Sequence, residues 1–346
     1  MMNNFYTVGW DIGGAHVKAA VSNSSGVMIA VFQQPCPLWQ GLEQLQSAVQ
    51  VIMQRLPKHN YRHAITMTGE LVDLFSSREQ GVAEIIDTMQ ILLMGQRIDI
   101  FAGTQGLVPI DEITSEHYQT IASSNWLASA YYVAQKLSDG VFIDIGSTTT
   151  DILLLHEGNV AAQGYTDYQR LISQELVYTG IIRTPVMAVA QHASDQGKIV
   201  GIMAEYFATM ADVYRLTGEL NEAHDQTPTA DGALKSVAAS GRRLARMIGC
   251  DFNIEELTRW QAFADNIRSQ QLQKIQQAYQ QLLAKSPLLK DTPIIGAGVG
   301  RFLVKSLAAT MQQPYIDFTD LCPSTLTDAE LELADCAPAV ALALLR

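Results

Sequence analysis

Basic runs, long apolar runs and paired cysteines are all missing from this chain of 346 residues. The formal charge is −12, with no lysine- or arginine-rich stretch to offset it, which argues against wholesale binding to nucleic acid or to an anionic membrane. An anionic substrate must then be held locally, by backbone N–H groups at turns and helix starts or through a bound cation. The four cysteines, Cys36, Cys250, Cys322 and Cys336, stand apart without CxxC or Cys/His zinc spacing, so reduced thiols are expected rather than a zinc site. No apolar run reaches the ~18 residues of a membrane-spanning helix. Trp10 and Asp11 interrupt the first apolar stretch and no basic segment precedes it, so no signal peptide is read and a cytoplasmic location is expected.

What the chain does have is material for cores. Apolar residues make up 48% and charged residues 17%, which fits a globular protein, and the length suits two domains with a cleft between them. Residues 5–12, 17–21 and 27–32, separated by turns at Gly13-Gly14 and Ser24-Ser25-Gly26, read as a β-meander. Leu42, Leu45, Val49, Ile52 and Leu56 then give a helix ended by Pro57. Residues 141–145, 152–156 and a strand from Val160 onward repeat the meander. Laying Asp11-Ile12-Gly13 on Asp144-Ile145-Gly146 brings residues 17–21 beside 150–154 at a constant offset, an internal repeat. Later come a polar loop over 219–232, a long helix over 261–283, a strand over 292–295, a glycine turn and a helix over 302–311. The domains expected are 1–137 and 138–325, the second with helical insertions. A closing helix, begun near 326 and started afresh or kinked at Pro338, should pack back on the first domain over 326–346.

A strand that ends in Asp and turns through Gly can bring bare backbone N–H groups against phosphate oxygens, while the carboxylate holds a hydrated Mg²⁺. Asp11-Ile12-Gly13-Gly14 has those parts, and Lys18 on the next strand adds a point charge toward the phosphates. In the second copy, Asp144-Ile145-Gly146-Ser147-Thr148-Thr149, hydroxyls replace Gly-Ala-His and can donate to phosphate oxygens. A plain hairpin would explain one such motif, but it explains two much less well. The turn Gly296-Ala297-Gly298-Val299-Gly300 would let a nucleotide or diphosphate approach the backbone closely. Arg301 stands where a dinucleotide turn needs its third glycine, and too little chain follows Asp317 for that fold, which argues against a dinucleotide site.

Glu70 follows a short strand of the kind that ends in a cleft and is a candidate base, although a helix-start carboxylate explains it as well. Asp212 lies on an apolar, aromatic-rich helix and should face a cation, a hydrogen-bond donor or the cleft; with Asp11 and Asp144 it is a candidate metal ligand. Arg183, before Thr184-Pro185, is a candidate phosphate contact or a plain surface arginine. Asp231-Gly232 reads as a turn. His16 is a neighbour of the first turn rather than a metal ligand, since no second histidine stands at metal spacing. Tyr131 and Tyr132 read as helix packing.

The order of phosphate-like turn, second such turn and late glycine turn resembles the superfamily of acetate and sugar kinases, heat-shock seventy proteins and actin. The resemblance covers the whole chain. It implies an α/β fold of two actin-like ATPase (ribonuclease H-like) domains related by internal duplication, with Gly296, Gly298 and Gly300 on the adenosine side of the cleft. Within it, Gly9-Trp10-Asp11-Ile12-Gly13-Gly14-Ala15, Thr66-Met67-Thr68-Gly69-Glu70-Leu71, Tyr178-Thr179-Gly180 with Arg183-Thr184-Pro185, and the stretch from Glu205 to Tyr214 with Thr229-Ala230-Asp231-Gly232 are similar to a narrower group. That group is the hydantoinase/oxoprolinase-related family of one-carbon-pathway proteins, whose archaeal members condense a furanmethyl diphosphate with γ-glutamyltyramine during methanofuran synthesis. The resemblance implies a Mg²⁺-assisted transferase acting on a diphosphate ester and a phenolic amine, releasing pyrophosphate, with bacterial relatives serving methylofuran. Two other readings use the same turns: an ATP-dependent small-molecule kinase, and a nucleotide-gated binding or assembly protein.

Overall fold

A computed structural model describes residues 5–286, 291–327 and 331–345. The first sheet holds β1 (Tyr6–Ile12), β2 (His16–Ser22), β3 (Met28–Pro35), β4 (Tyr61–Met67), β5 (Arg97–Phe101) and β6 (Leu107–Pro109), in the order β3-β2-β1-β4-β5-β6. β1 to β3 form an antiparallel meander, and β4 and β5 continue in parallel on the other side of β1. The second sheet holds β7 (Gly140–Ile145), β8 (Thr150–His156), β9 (Asn159–Val160) and β10 (Leu176–Val177), and a separate hairpin follows from β11 (His192–Asp195) and β12 (Lys198–Gly201). β13 (Ile294–Ala297) and β14 (Tyr315–Asp317) complete the second sheet in the order β10-β8-β7-β13-β14, with β9 beside β8. Here too an antiparallel hairpin opens the sheet and parallel strands extend it beyond β7. The same plan, built twice, is the actin-like α/β architecture that the superfamily resemblance implies.

Packing follows from the residue pattern. Val8, Trp10 and Ile12 of β1 are fully buried in the first core. Gly9 allows the helix Ala337–Leu344 to lie close, because a Cβ there would stand 2.0 Å from the Ala339 carbonyl oxygen. The helix Leu42–Arg55 buries Leu45, Val49 and Ile52, spaced for one helical face. Ser77 caps the helix Arg78–Leu92 by accepting from the Gln80 N–H, a contact worth about 1 kcal/mol. The long helix Leu257–Leu283 buries Trp260, Phe263, Ile267, Ile275, Tyr279 and Leu282 in the second core. A third apolar cluster lies between the sheets: Ala20 and Ala64 come from the first, Phe142, Leu153 and Ile295 from the second, and the helices Asn125–Ala134 and Ala337–Leu344 are wedged between.

Two elements differ from the sequence reading. The third strand of the second meander is a two-residue stub, β9, because Thr166 and Gln169 form a capping box that starts the helix Asp167–Ser173 soon after it. The closing helix begins only at Ala337, with Pro338 in its first turn, where an amide N–H is not needed. The 3₁₀ turn Leu333–Cys336 precedes it, and residues 328–330 and 346 of the expected helix lie outside the described residues. Among the described residues no helix is long and apolar enough to cross a membrane.

Candidate active site

The first Asp-Ile-Gly turn and the Ser147-Thr148-Thr149 end of the second open on one cleft of about 730 Å³, whose lining includes Asp11 but neither Asp144 nor Gly146. Asp11, Gly13, Gly14, His16 and Lys18 line it from the first domain, and Ser147, Thr148, Thr149, Asp151 and Arg183 from the second. Trp39, Trp126 and Tyr178 add an aromatic wall. The turns close alike: the Gly13 N–H donates to the His16 carbonyl at 2.9 Å, and the Gly146 N–H to the Thr149 carbonyl at 2.8 Å.

Each turn is braced by a segment that the sequence singled out for another reason. The Thr68 N–H donates to the Ile12 carbonyl, and Gly69 packs on Gly13. In the second domain the Ile181 N–H donates to Gly146, and those of Ile182 and Arg183 to Ser147, all at 3.0 Å. A Cβ on Gly180 would stand 2.4 Å from the Thr148 nitrogen, so only glycine permits this approach. Residues 66–71 and 178–185 thus hold the two turns in shape.

Charge is distributed unequally. Register pairs Asp11 with Lys18 across β1 and β2, and Asp144 with Asp151 across β7 and β8. Burial lifts Asp11 to about 6 against the pull of Lys18, and burial together with Asp151 lifts Asp144 to about 7. Burial disfavours the Lys18 charge, but Cys336, Asp11, Asp144 and Asp335 outweigh it and hold the amine above its usual range. Its Nζ donates to the Asp335 carbonyl at 2.6 Å. Burial also raises Asp151, although Arg170 reaches it at 2.7 Å. The Arg170 guanidinium lies 4.0 Å from the centre of the Trp126 ring, a cation–π contact that fixes it beside the cleft. His16, which the sequence reading set aside, belongs to the cleft wall. Burial, then Lys18 and Arg183, push its imidazole down to about 3, so the ring is neutral at physiological pH.

Other candidates fall elsewhere. Arg183 sits at the mouth, 3.5 Å from the Thr148 hydroxyl and 5.7 Å from the Trp39 ring centre in the facing domain. Glu70 does not line the cleft: it is 1% exposed, and its Oε1 accepts from Arg78 at 2.9 Å and from the Ser123 hydroxyl at 2.8 Å. That position suits holding Arg78 and Ser123 in place and does not support a base acting directly on substrate. Asp212 is removed from both turns. Its Oδ2 accepts from the Thr209 N–H as a helix cap, and its Oδ1 accepts from Ser240 and from Arg243 at 2.7 Å each, so the cation it faces is an arginine and not a metal ion. Asp231 binds the same Arg243.

The late glycine turn is packing. The Gly298 N–H donates to Ala334 and the Gly300 N–H to Ile145, while Gly298, at φ +80°, is pressed against Asp144 Oδ1. Gly296 packs on the Tyr315 ring. Arg301 beside them is held by Asp317, Glu332 and Asp335. None of the three glycines lines the cleft. Among the described residues no group of three His, Cys, Asp or Glu could by itself hold a metal ion. Magnesium needs only one or two protein carboxylates when phosphate oxygens and waters complete its shell; Asp11 lines the cleft, and Asp144 stands at the base of the second turn behind that lining.

Residues 62–337 match the hydantoinase/oxoprolinase family. The chain is 30% identical over 297 residues to the (4-{4-[2-(gamma-L-glutamylamino)ethyl]phenoxymethyl}furan-2-yl)methanamine synthase of Methanocaldococcus jannaschii, covering 84% of this chain and 86% of that one. A protein of the same name from Methanococcus vannielii is 31% identical over 125 residues, 36% of this chain and 56% of the relative, so this match spans just over half the relative's length. Among solved structures, the ethanolamine utilization protein EutJ from Carboxydothermus hydrogenoformans covers 99% of this chain and is itself covered over 90%, with 11% identity and a TM-score of 0.48. The relatives' name is that of an enzyme, and on the breadth of these sequence matches the chain belongs to the hydantoinase/oxoprolinase family.

Proposed function

We propose that the chain is a transferase joining a phenolic amine of the γ-glutamyltyramine type to an aminomethyl-furanmethyl diphosphate, with release of pyrophosphate, in methanofuran or methylofuran synthesis. The observation that carries this reading is the convergence of two phosphate-type turns on one cleft beside an aromatic wall. Lys18, Arg183 and the hydroxyls of Ser147, Thr148 and Thr149 supply donors for a diphosphate, while Trp39, Trp126 and Tyr178 supply flat surface for furan and phenol rings. The name of the Methanocaldococcus jannaschii relative supports it, since a phenoxymethyl group on a furan is an aryl ether.

In the displacement, the carbon–oxygen bond to the diphosphate breaks with its electron pair leaving on the pyrophosphate, the phenol oxygen bonds to the methylene carbon, and the phenol proton passes to the departing pyrophosphate or to water. Negative charge gathers on the leaving diphosphate, where Lys18 and Arg183 stand to receive it. A magnesium ion held by Asp11 and Asp144 would neutralise part of the same charge. The kinase reading has less support: two amides of the late glycine turn are already bonded, and the adjoining pocket contains Arg301 with Asp317, Glu332 and Asp335.

The test is direct. Given the diphosphate, γ-glutamyltyramine and Mg²⁺, the protein should form the ether and release pyrophosphate without ATP, as followed by mass spectrometry and phosphate analysis. No ether, together with substrate-stimulated conversion of ATP to ADP, would replace this reading with the kinase.

A further inference from the structure

We propose that His16 is a further ligand-contacting residue of this cleft, its Nε2 acting with the Ser147 hydroxyl to bind the anionic group on which both turns open. The identity of that anion as a diphosphate rests on the reading above; the site itself rests on the geometry that follows.

The ring is 8% exposed and lines the cleft, and its Nε2 has no hydrogen-bond partner. Ser147 Oγ, in the second turn, is buried and unpartnered in the same way. Trp126 Nε1 and Arg170 Nε, from two more residues of the cleft lining, are unpartnered as well. Native interiors rarely leave such groups unmatched except where a ligand or ordered water meets them.

The repeat adds a second argument. His16 and Thr149 hold matching places, each giving the carbonyl that closes its turn. Where the second copy presents a hydroxyl to the cleft, the first presents an imidazole. Four charged groups act on that ring: Lys18 from its own strand, Arg183 from the loop after β10, and Asp225 and Lys235 from the segment between the helices Met210–Thr217 and Val237–Arg246. Three are positive, and the fourth, Asp225, is already paired with Arg215 at 2.7 Å and Lys235 at 3.2 Å. Burial first, and then the three positive charges, keep the ring neutral. A neutral imidazole carries one N–H, and the tautomer with the proton on Nε2 can donate it to a phosphate-type oxygen.

The probe is inorganic pyrophosphate with Mg²⁺, titrated calorimetrically into the full chain. His16→Ala should weaken binding by about ten- to a hundredfold, the loss of one hydrogen bond to a charged group. His16→Gln, whose side-chain amide reaches the place of Nε2, should recover most of that loss. Binding by His16→Ala within about twofold of wild type overturns the proposal, as does a well-folded His16→Gln no better than alanine. If the alanine variant does not fold, nitrogen-edited NMR of the wild type decides. Two imidazoles, those of His16 and His63, are held neutral from pH 5 to pH 8, and of these only His16 lines the cleft; a shift of one of them when pyrophosphate is added supports the contact, and the absence of any such shift overturns it. Because binding is read without turnover, failure to form an ether would leave this result standing.

Discussion

Two hairpins of one design meet at this cleft, and the facing pair next to each turn carries opposite charges in one and like charges in the other. In the first, Asp11 faces Lys18; in the second, Asp144 faces Asp151. The first hairpin is balanced within itself. The second carries two carboxylates and draws its compensation from outside, from Arg170 on the helix Asp167–Ser173 and from the first hairpin's own lysine. The two domains are electrostatically dependent on each other, with Lys18 serving carboxylates on both sides.

That contrast can be broken most severely at Arg170. Its side chain is 2% exposed, stacked on Trp126 and paired with Asp151, and Arg170→Met would leave that carboxylate, 17% exposed at the cleft wall, without its partner and the arginine's site poorly filled. A loss of about 3–5 kcal/mol is expected, read as the shift of the chemical denaturation midpoint.

A smaller and pH-dependent effect separates Asp11 and Asp144 from ordinary carboxylates. Unfolded, each ionises near the reference value of 3.8; folded, they ionise only at about 6 and about 7. A raised acid pKa means that the folded state holds its proton longer, so stability is full below the unfolded pKa and is lost as pH rises through the folded one. Wild type should therefore lose stability between about pH 4 and pH 7. Asp144→Asn escapes that loss: at pH 8 it should exceed wild type by about 1–2 kcal/mol, with no advantage at pH 4, while binding Mg²⁺-pyrophosphate more weakly. Thermal melts at the two pH values, compared with Asp11→Asn, rank the two hairpins. Equal stability at both pH values would show that the carboxylates are not strained.

The smallest effect is expected where the domains meet through an open pair. Arg78 reaches Glu70 within its own domain at 2.9 Å and Asp167 of the other at 3.4 Å, the latter 24% exposed. Asp167→Asn should cost under about 1 kcal/mol and fade with added salt, as a double-mutant cycle with Arg78→Gln would measure.

The repeated turn was legible because a strand pattern, an Asp and a Gly recur together at one spacing, and short-range geometry does the rest. The braces at residues 66–71 and 178–185 could be marked but not explained, since their hydrogen bonds join positions far apart in the chain. Glu70 and Asp212 show where such reading stops. Their partners, Arg78 with Ser123 and Arg243 with Ser240, lie on other elements, and no local pattern distinguishes a carboxylate facing an arginine from one facing a cleft. His16 was missed for want of a second metal-spaced histidine, yet its alignment with Thr149 in the repeat was a usable signal. The facing pairs of Asp11 with Lys18 and Asp144 with Asp151 were available from the same alignment.

The helix Ala337–Leu344 ties early and late parts of the chain together. Ser22 donates to the Ala343 carbonyl, Gly9 packs on Ala339, and Lys18 reaches Asp335 just before the helix begins. A ribosome delivers the first hairpin more than three hundred residues before the segment that covers it. During that interval one apolar face of β1 and β2 lies open and the amine of Lys18 lacks its carbonyl partner. The first domain to emerge is therefore the last to be finished, a long-range closure of the kind that slows folding and leaves a nascent sheet in need of protection.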